Sequence, residues 1–169
     1  MVENLRQMSP EHWDWTPHIA APTARVLAAH TYEWLVCDRL HIIEPEVRKH
    51  PDVPSLPEDP LAACEMLSEE IDRWETMLLK FTWADFNSPR RQFGHREMNV
   101  RSFVAHMVQN CIFRNGQLST LYFSLGYDGD MPYTAPFPNG IYREMREQLT
   151  ADEANEPEKA KSRHAVNRG

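Results

Sequence analysis

An all-α fold, an antiparallel helical bundle, is expected from three observations. Three long segments repeat apolar residues at steps of three and four, prolines and glycines interrupt the chain between them, and no alternating run of useful length breaks them. Helices with a single apolar stripe must bury it against one another, which makes a bundle the simplest architecture.

Residues 1–22 contain Pro10, Pro17 and Pro22 and no sustained period, which predicts an irregular lead-in with at most one helical turn over 9–14. Thr23 has the chemistry of an N-cap. After it Leu27, His30, Trp34, Cys37 and His41 share one face, giving a helix over 23–44 that ends at Pro45. Residues 45–60 carry five prolines and form a connecting loop. The second helix is expected over 60–82, with Cys64, Leu67, Ile71, Trp74, Leu78 and Phe81 on its buried face. Residues 83–98, with Pro89 and Gly94 among aromatics and charges, read as an irregular loop. Asn99 opens the third long helix, whose seam is Val100, Val104, Met107, Cys111, Arg114, Leu118, Leu121 and Leu125, and Gly126 stops it. One further helix is expected over 139–149, with Tyr142, Met145 and Leu149 on one side, before a polar tail over 150–169. Residues 1–149 are thus expected to form a single domain.

The chain of 169 residues, 41% hydrophobic and 25% charged, can bury a core unaided. Its net charge of -7 repels nucleic acid, so no nucleic-acid partner is expected. There is no run of about 18 apolar residues and no signal-peptide pattern near Met1, so no membrane partner is expected and the cytoplasm is the expected location. Cys37, Cys64 and Cys111 lack metal-type spacing and fall on apolar stripes, as reduced core residues do.

Polar residues on those stripes carry the functional signal. Arg114 occupies a seam position between Cys111 and Leu118, and a guanidinium stays charged wherever it is placed. Two readings follow: a structural role, as an ion pair with a facing carboxylate or by snorkelling toward a bundle end, or an anion clamp awaiting a ligand. His106, Asn110, Arg114 and Gln117 form a polar ribbon along the same helix, more than packing requires. His30, flanked by Leu27 and Trp34, is either a satisfied core histidine or the group that faces this ribbon. His41 is expected near the bundle end without a role, and His12, His18, His50, His95 and His164 in solvated segments. No H-x-x-x-H, H-E-x-x-H, E-x-x-H or G-x-S-x-G pattern occurs.

At these residues the chain resembles the DinB-like superfamily of four-helix bundles. The matching stretches are Trp15-Thr16-Pro17 followed by Ala24 to His30, then Phe103-Val104-Ala105-His106 with Arg114-Asn115-Gly116-Gln117-Leu118, and the Leu125-Gly126 ending with Pro132; together they span 15–132. The resemblance implies a divalent metal bound by one early histidine and an H-x-x-x-H pair before the Gly-Gln element. His30 matches the first ligand, but Asn110 and Arg114 stand at the other two positions, so no metal and no other cofactor is expected. The family's first helix has no counterpart here, which predicts that segment 139–149 or a second subunit covers the open side, a homodimer being favoured.

Family members include thiol-dependent transferases and isomerases. The resemblance therefore implies a metal-independent small-molecule enzyme of isomerase, cyclase or transferase type, with a compact carboxylate- or carbonyl-bearing substrate inside the bundle. Arg114 would fix a carboxylate, His30 move a proton, and Asn110 with Gln117 orient a carbonyl, while His106, Gln117 and Trp34 bind substrate. The alternatives are a non-catalytic DinB-like binding or scaffold protein, and a metal-dependent thiol transferase or hydrolase with an atypical site.

Overall fold

Long helices begin where a side chain satisfies their free backbone N–H groups. The computed structural model describes residues 1–44, 50–91 and 97–127, and all of them belong to the unit Met1–Tyr133. Within it Thr23 caps α2 (Ala24–Ile43) by accepting from Val26 N–H, and Asp59 caps α3 (Pro60–Leu78) by accepting from Ala62 N–H. Asn99 caps α5 (Val100–Ser124) by accepting from Ser102 N–H. Beyond α5, Gly126 takes a φ of 78°, a left-handed conformation that terminates the helix without Cβ strain. Two of the long helices thus start and stop as expected, whereas α3 ends at Leu78, short of Thr82.

Side-chain pairs fix the helix directions. From His41 through Asp38 to Trp34 on α2, the α5 partners pass from Phe103 to His106, and His30 shares a cleft with Arg114 further along; one number falls as the other rises, so α2 and α5 run antiparallel. Trp74 donates its indole N–H to the Leu35 carbonyl at 2.8 Å while Glu70 pairs with Arg39, so α2 and α3 are antiparallel as well. The core between them holds Leu27, Leu35, Cys64, Leu67, Trp74, Phe103, Leu118 and Tyr122.

Three expectations are corrected. Residues 1–22 are not merely irregular: α1 (Val2–Gln7) and a 3-10 turn (Pro10–His12) place Leu5, Met8 and Trp13 in the core, and Asn4 donates to Asn115 Oδ1 at 3.1 Å. A six-residue helix is too short to display a period, and packing rather than propensity holds it. Residues 83–91 and 97–98 are not an irregular loop. They include α4 (Trp83–Asn87), started by a Thr82/Asp85 capping box, and an antiparallel ladder of β1 (Pro89–Arg91) with β2 (Glu97–Asn99) in the register Pro89↔Asn99. Three-residue strands carry no legible alternation. On α3, Ile71 is 43% exposed while Glu70 is fully buried. Arg39 and Arg73 both bind the Glu70 carboxylate, Arg39 from two nitrogens and Arg73 at 2.9 Å, so the buried charge is paired on both oxygens.

No described helix is long and apolar enough to cross a membrane. The expected helix over 139–149 and the tail over 150–169 lie outside the described residues.

Candidate functional site

The expected site residues converge on one side of the α2–α5 seam. His30, Trp34, His106, Gln109, Asn110, Phe113 and Arg114 line a cleft of about 350 Å³. Helical spacing explains the gathering: His30 and Trp34 are one turn apart on α2, and His106, Asn110 and Arg114 are successive turns of α5. Trp34 stands between the histidines, its ring 6.1 Å from His30 and 4.9 Å from His106, both edge-on.

Arg114 is partly buried. Its Nη1 donates to Gln117 Oε1 at 2.7 Å, its guanidinium lies 5.3 Å from the centre of the Phe113 ring, and its Nε is buried without a hydrogen-bond partner among the described residues. No described carboxylate forms an ion pair with it, in contrast to Arg39 and Arg73 at Glu70. Gln117, expected to bind substrate, does not line the cleft; it accepts from Arg114 behind it, a neutral partner that leaves the positive charge uncompensated. The imidazole of His30 titrates below its ordinary value because burial and the nearby Arg114 cation both disfavour its charged form. At neutral pH the cleft therefore presents a guanidinium beside a neutral His30.

Asp38 is the residue that sequence reasoning missed. Its side chain is fully buried, His106 Nδ1 lies 2.6 Å from its Oδ2, and its Oδ1 has no partner among the described residues. Burial pushes its carboxyl up to about 6, against the opposing pull of His106. An ionised carboxylate only accepts, so the proton of a neutral His106 sits on Nδ1 and the lone pair on Nε2. A signal was present: His30, Trp34 and Asp38 follow at i, i+4 and i+8 on one face of α2.

His41, expected near a bundle end, lies in the last turn of α2, buried and stacked on Phe103 with ring centres 5.7 Å apart. His50, expected to be simply solvated, lies 3.4 Å from Cys37 Sγ and 3.3 Å from Glu33 Oε1. It borders a second groove of about 690 Å³ between α2 and residues 50–58, which His30 also lines. Burial pushes the Cys37 thiol up to about 12, so the Cys37–His50 contact provides no thiolate nucleophile.

The donor set does not suit the metal that the family resemblance implies. Of the three corresponding positions only His30 offers a ligand; the Asn110 amide is a weak donor and the Arg114 cation repels a metal ion. His106 has one ring nitrogen committed to Asp38. Among the described residues no group of three or more His, Cys, Asp and Glu side chains could hold a metal ion.

Neither a family model nor a curated protein matches this chain.

Proposed function

We propose that the α2–α5 cleft binds a compact carboxylate- or carbonyl-bearing small molecule and that the chain is a metal-independent enzyme of isomerase, cyclase or transferase type, related to the DinB-like bundles. The observation that carries this reading is Arg114, a partly buried cation in a cleft with no described carboxylate to neutralise it. An unpaired guanidinium is costly to fold around, and a ligand anion would offset that cost. Asn110 lines the same wall and can donate to a second ligand oxygen, and Trp34 and Phe113 offer ring surfaces to an organic body.

The direct test is a thermal-shift and calorimetric screen of small carboxylic acids at neutral pH against wild type and Arg114→Met. Binding that disappears in Arg114→Met supports the reading. Equal binding to both, or no carboxylate bound at millimolar concentration, sinks it.

We infer also that the chain forms a homodimer. Val108, Ile112 and Phe113 are 45%, 55% and 59% exposed on α5, where with Val104 and Ala105 they line a mostly apolar groove that Arg101 and Gln109 border. Apolar stripes of this kind are commonly buried by a second copy.

A further inference from the structure

Two carboxylates are fully buried among the described residues, and the difference between them is informative. Glu70 receives hydrogen bonds from two arginines, the arrangement a purely structural carboxylate requires. Asp38 has one partner, the imidazole of His106, and leaves Oδ1 without any. That imidazole is 38% exposed and lines the cleft that contains Arg114. A pair made only to join α2 to α5 gains nothing from a titratable ring open to solvent on its far side.

We propose that Asp38 is a positioning residue for His106, and that His106 Nε2 is the base that removes a proton from the carbon next to a carbonyl in a carboxylate-bearing ligand held by Arg114. This rests on the reading of the cleft as a carboxylate site. In the step, the substrate C–H bond breaks and an N–H bond forms at Nε2, while the electron pair stays on the substrate as an enolate. The imidazolium lies against the Asp38 carboxylate, and the Asn110 amide can donate to the enolate oxygen. Return of the proton to another atom completes an isomerisation without any co-reactant. The titratable and charged groups around the pair are His30, Glu33 and Cys37 on α2 and Cys111 and Arg114 on α5, with the Met1 amino group next to Cys111. Of the charged groups here, the Asp38 carboxylate is the one in hydrogen-bond contact with the ring, so it is the group placed to hold the imidazolium.

The experiment has two arms. Imidazole ¹⁵N NMR of the full chain, without ligand, reads the tautomer of His106 in wild type and Asp38→Asn. The expected result is an Nδ1–H tautomer in wild type and a larger share of the Nε2–H tautomer in Asp38→Asn, where the acceptor is no longer a carboxylate. An Nε2–H tautomer in wild type, or an unchanged tautomer in a folded Asp38→Asn protein, overturns the positioning role. The second arm uses 2-oxobutanoate in D₂O and follows loss of its C3 proton signal together with its binding. Wild type should accelerate exchange over buffer, His106→Ala should abolish the acceleration, and Asp38→Asn should lower it by about tenfold or more while changing the Kd by less than about threefold. Binding without acceleration in wild type overturns the proton transfer and leaves the carboxylate cleft standing. Absence of binding removes the cleft reading and with it the base role, while the first arm still decides whether Asp38 positions His106.

Discussion

Nδ1 of His106 lies 2.6 Å from Oδ2 of Asp38, and that contact joins the first third of α5 to the last third of α2. It couples a buried side chain to one that opens on a cleft. The chemistry attributed to the cleft depends on this coupling, because it selects which nitrogen of the ring is basic.

The pH dependence of stability follows from the same pair. Burial raises the Asp38 carboxyl from its ordinary 3.8 to about 6, so between these values the folded chain holds a proton that the unfolded chain releases. The stabilising contribution of this group is complete below pH 3.8 and is lost as pH rises through about 6. Asp38→Asn removes the titration. Relative to wild type the variant should therefore gain stability from pH 4 to pH 7, on the order of 2 kcal/mol. Urea unfolding across that range measures the difference, and a wild-type advantage that grows with pH would contradict the assignment.

Much of the site was legible before the structure because helical spacing alone brings it together. Asn110 and Arg114 fall in register with His106, and His30 with Trp34, and the cleft holds all of them. Asp38 continues the same face but adjoins Cys37 and lies near His41 on an apolar stripe, where local spacing does not distinguish it from core. Glu70 escaped for a different reason: only a facing helix can supply Arg39, and partners distant in sequence have no local signature. The same limit applies to α1, where Leu5 and Met8 enter the core through contacts with later helices. Local period locates long amphipathic helices, whereas short elements and buried charges are settled by tertiary packing.

Metal content is a separate test. The positions that correspond to metal ligands in the resembling family hold His30, Asn110 and Arg114, only one of which is a competent donor. Protein purified without chelator should carry well under one equivalent of zinc, nickel or iron by elemental analysis. About one equivalent that disappears in His30→Ala would instead establish a metal site with ligands other than these.

Light scattering should report roughly twice 19.8 kDa if the mostly apolar groove on α5 is a self-contact. Ile112→Glu places a charge in the middle of the apolar groove and should shift the population towards monomer without loss of helicity, because Ile112 is 55% exposed in a single chain. A wild-type monomer at micromolar concentration rules this interface out.

Arg39 and Arg114 provide the sharpest contrast, since the two guanidinium groups differ in what they face. Arg39 binds a carboxylate with no solvent exposure, and removing it strands part of that buried charge, with only the half-exposed Arg73 left to compensate. Arg39→Met should therefore cost about 3 to 5 kcal/mol, as loss of one partner of a buried pair generally does. Arg114 faces Gln117 and an open cleft, so without a ligand its charge opposes folding rather than supporting it. Arg114→Met keeps the length of the side chain and its packing on Phe113 while removing the charge, and stability should stay level or rise. The same substitution should abolish the stabilisation that a bound carboxylate gives to wild type, so binding and stability would change in opposite directions. Melting curves of wild type, Arg39→Met and Arg114→Met, each with and without the best acid from the screen, measure both effects. An Arg114→Met protein that melts as far below wild type as Arg39→Met in buffer alone would make Arg114 a structural residue and withdraw the main support for a carboxylate site.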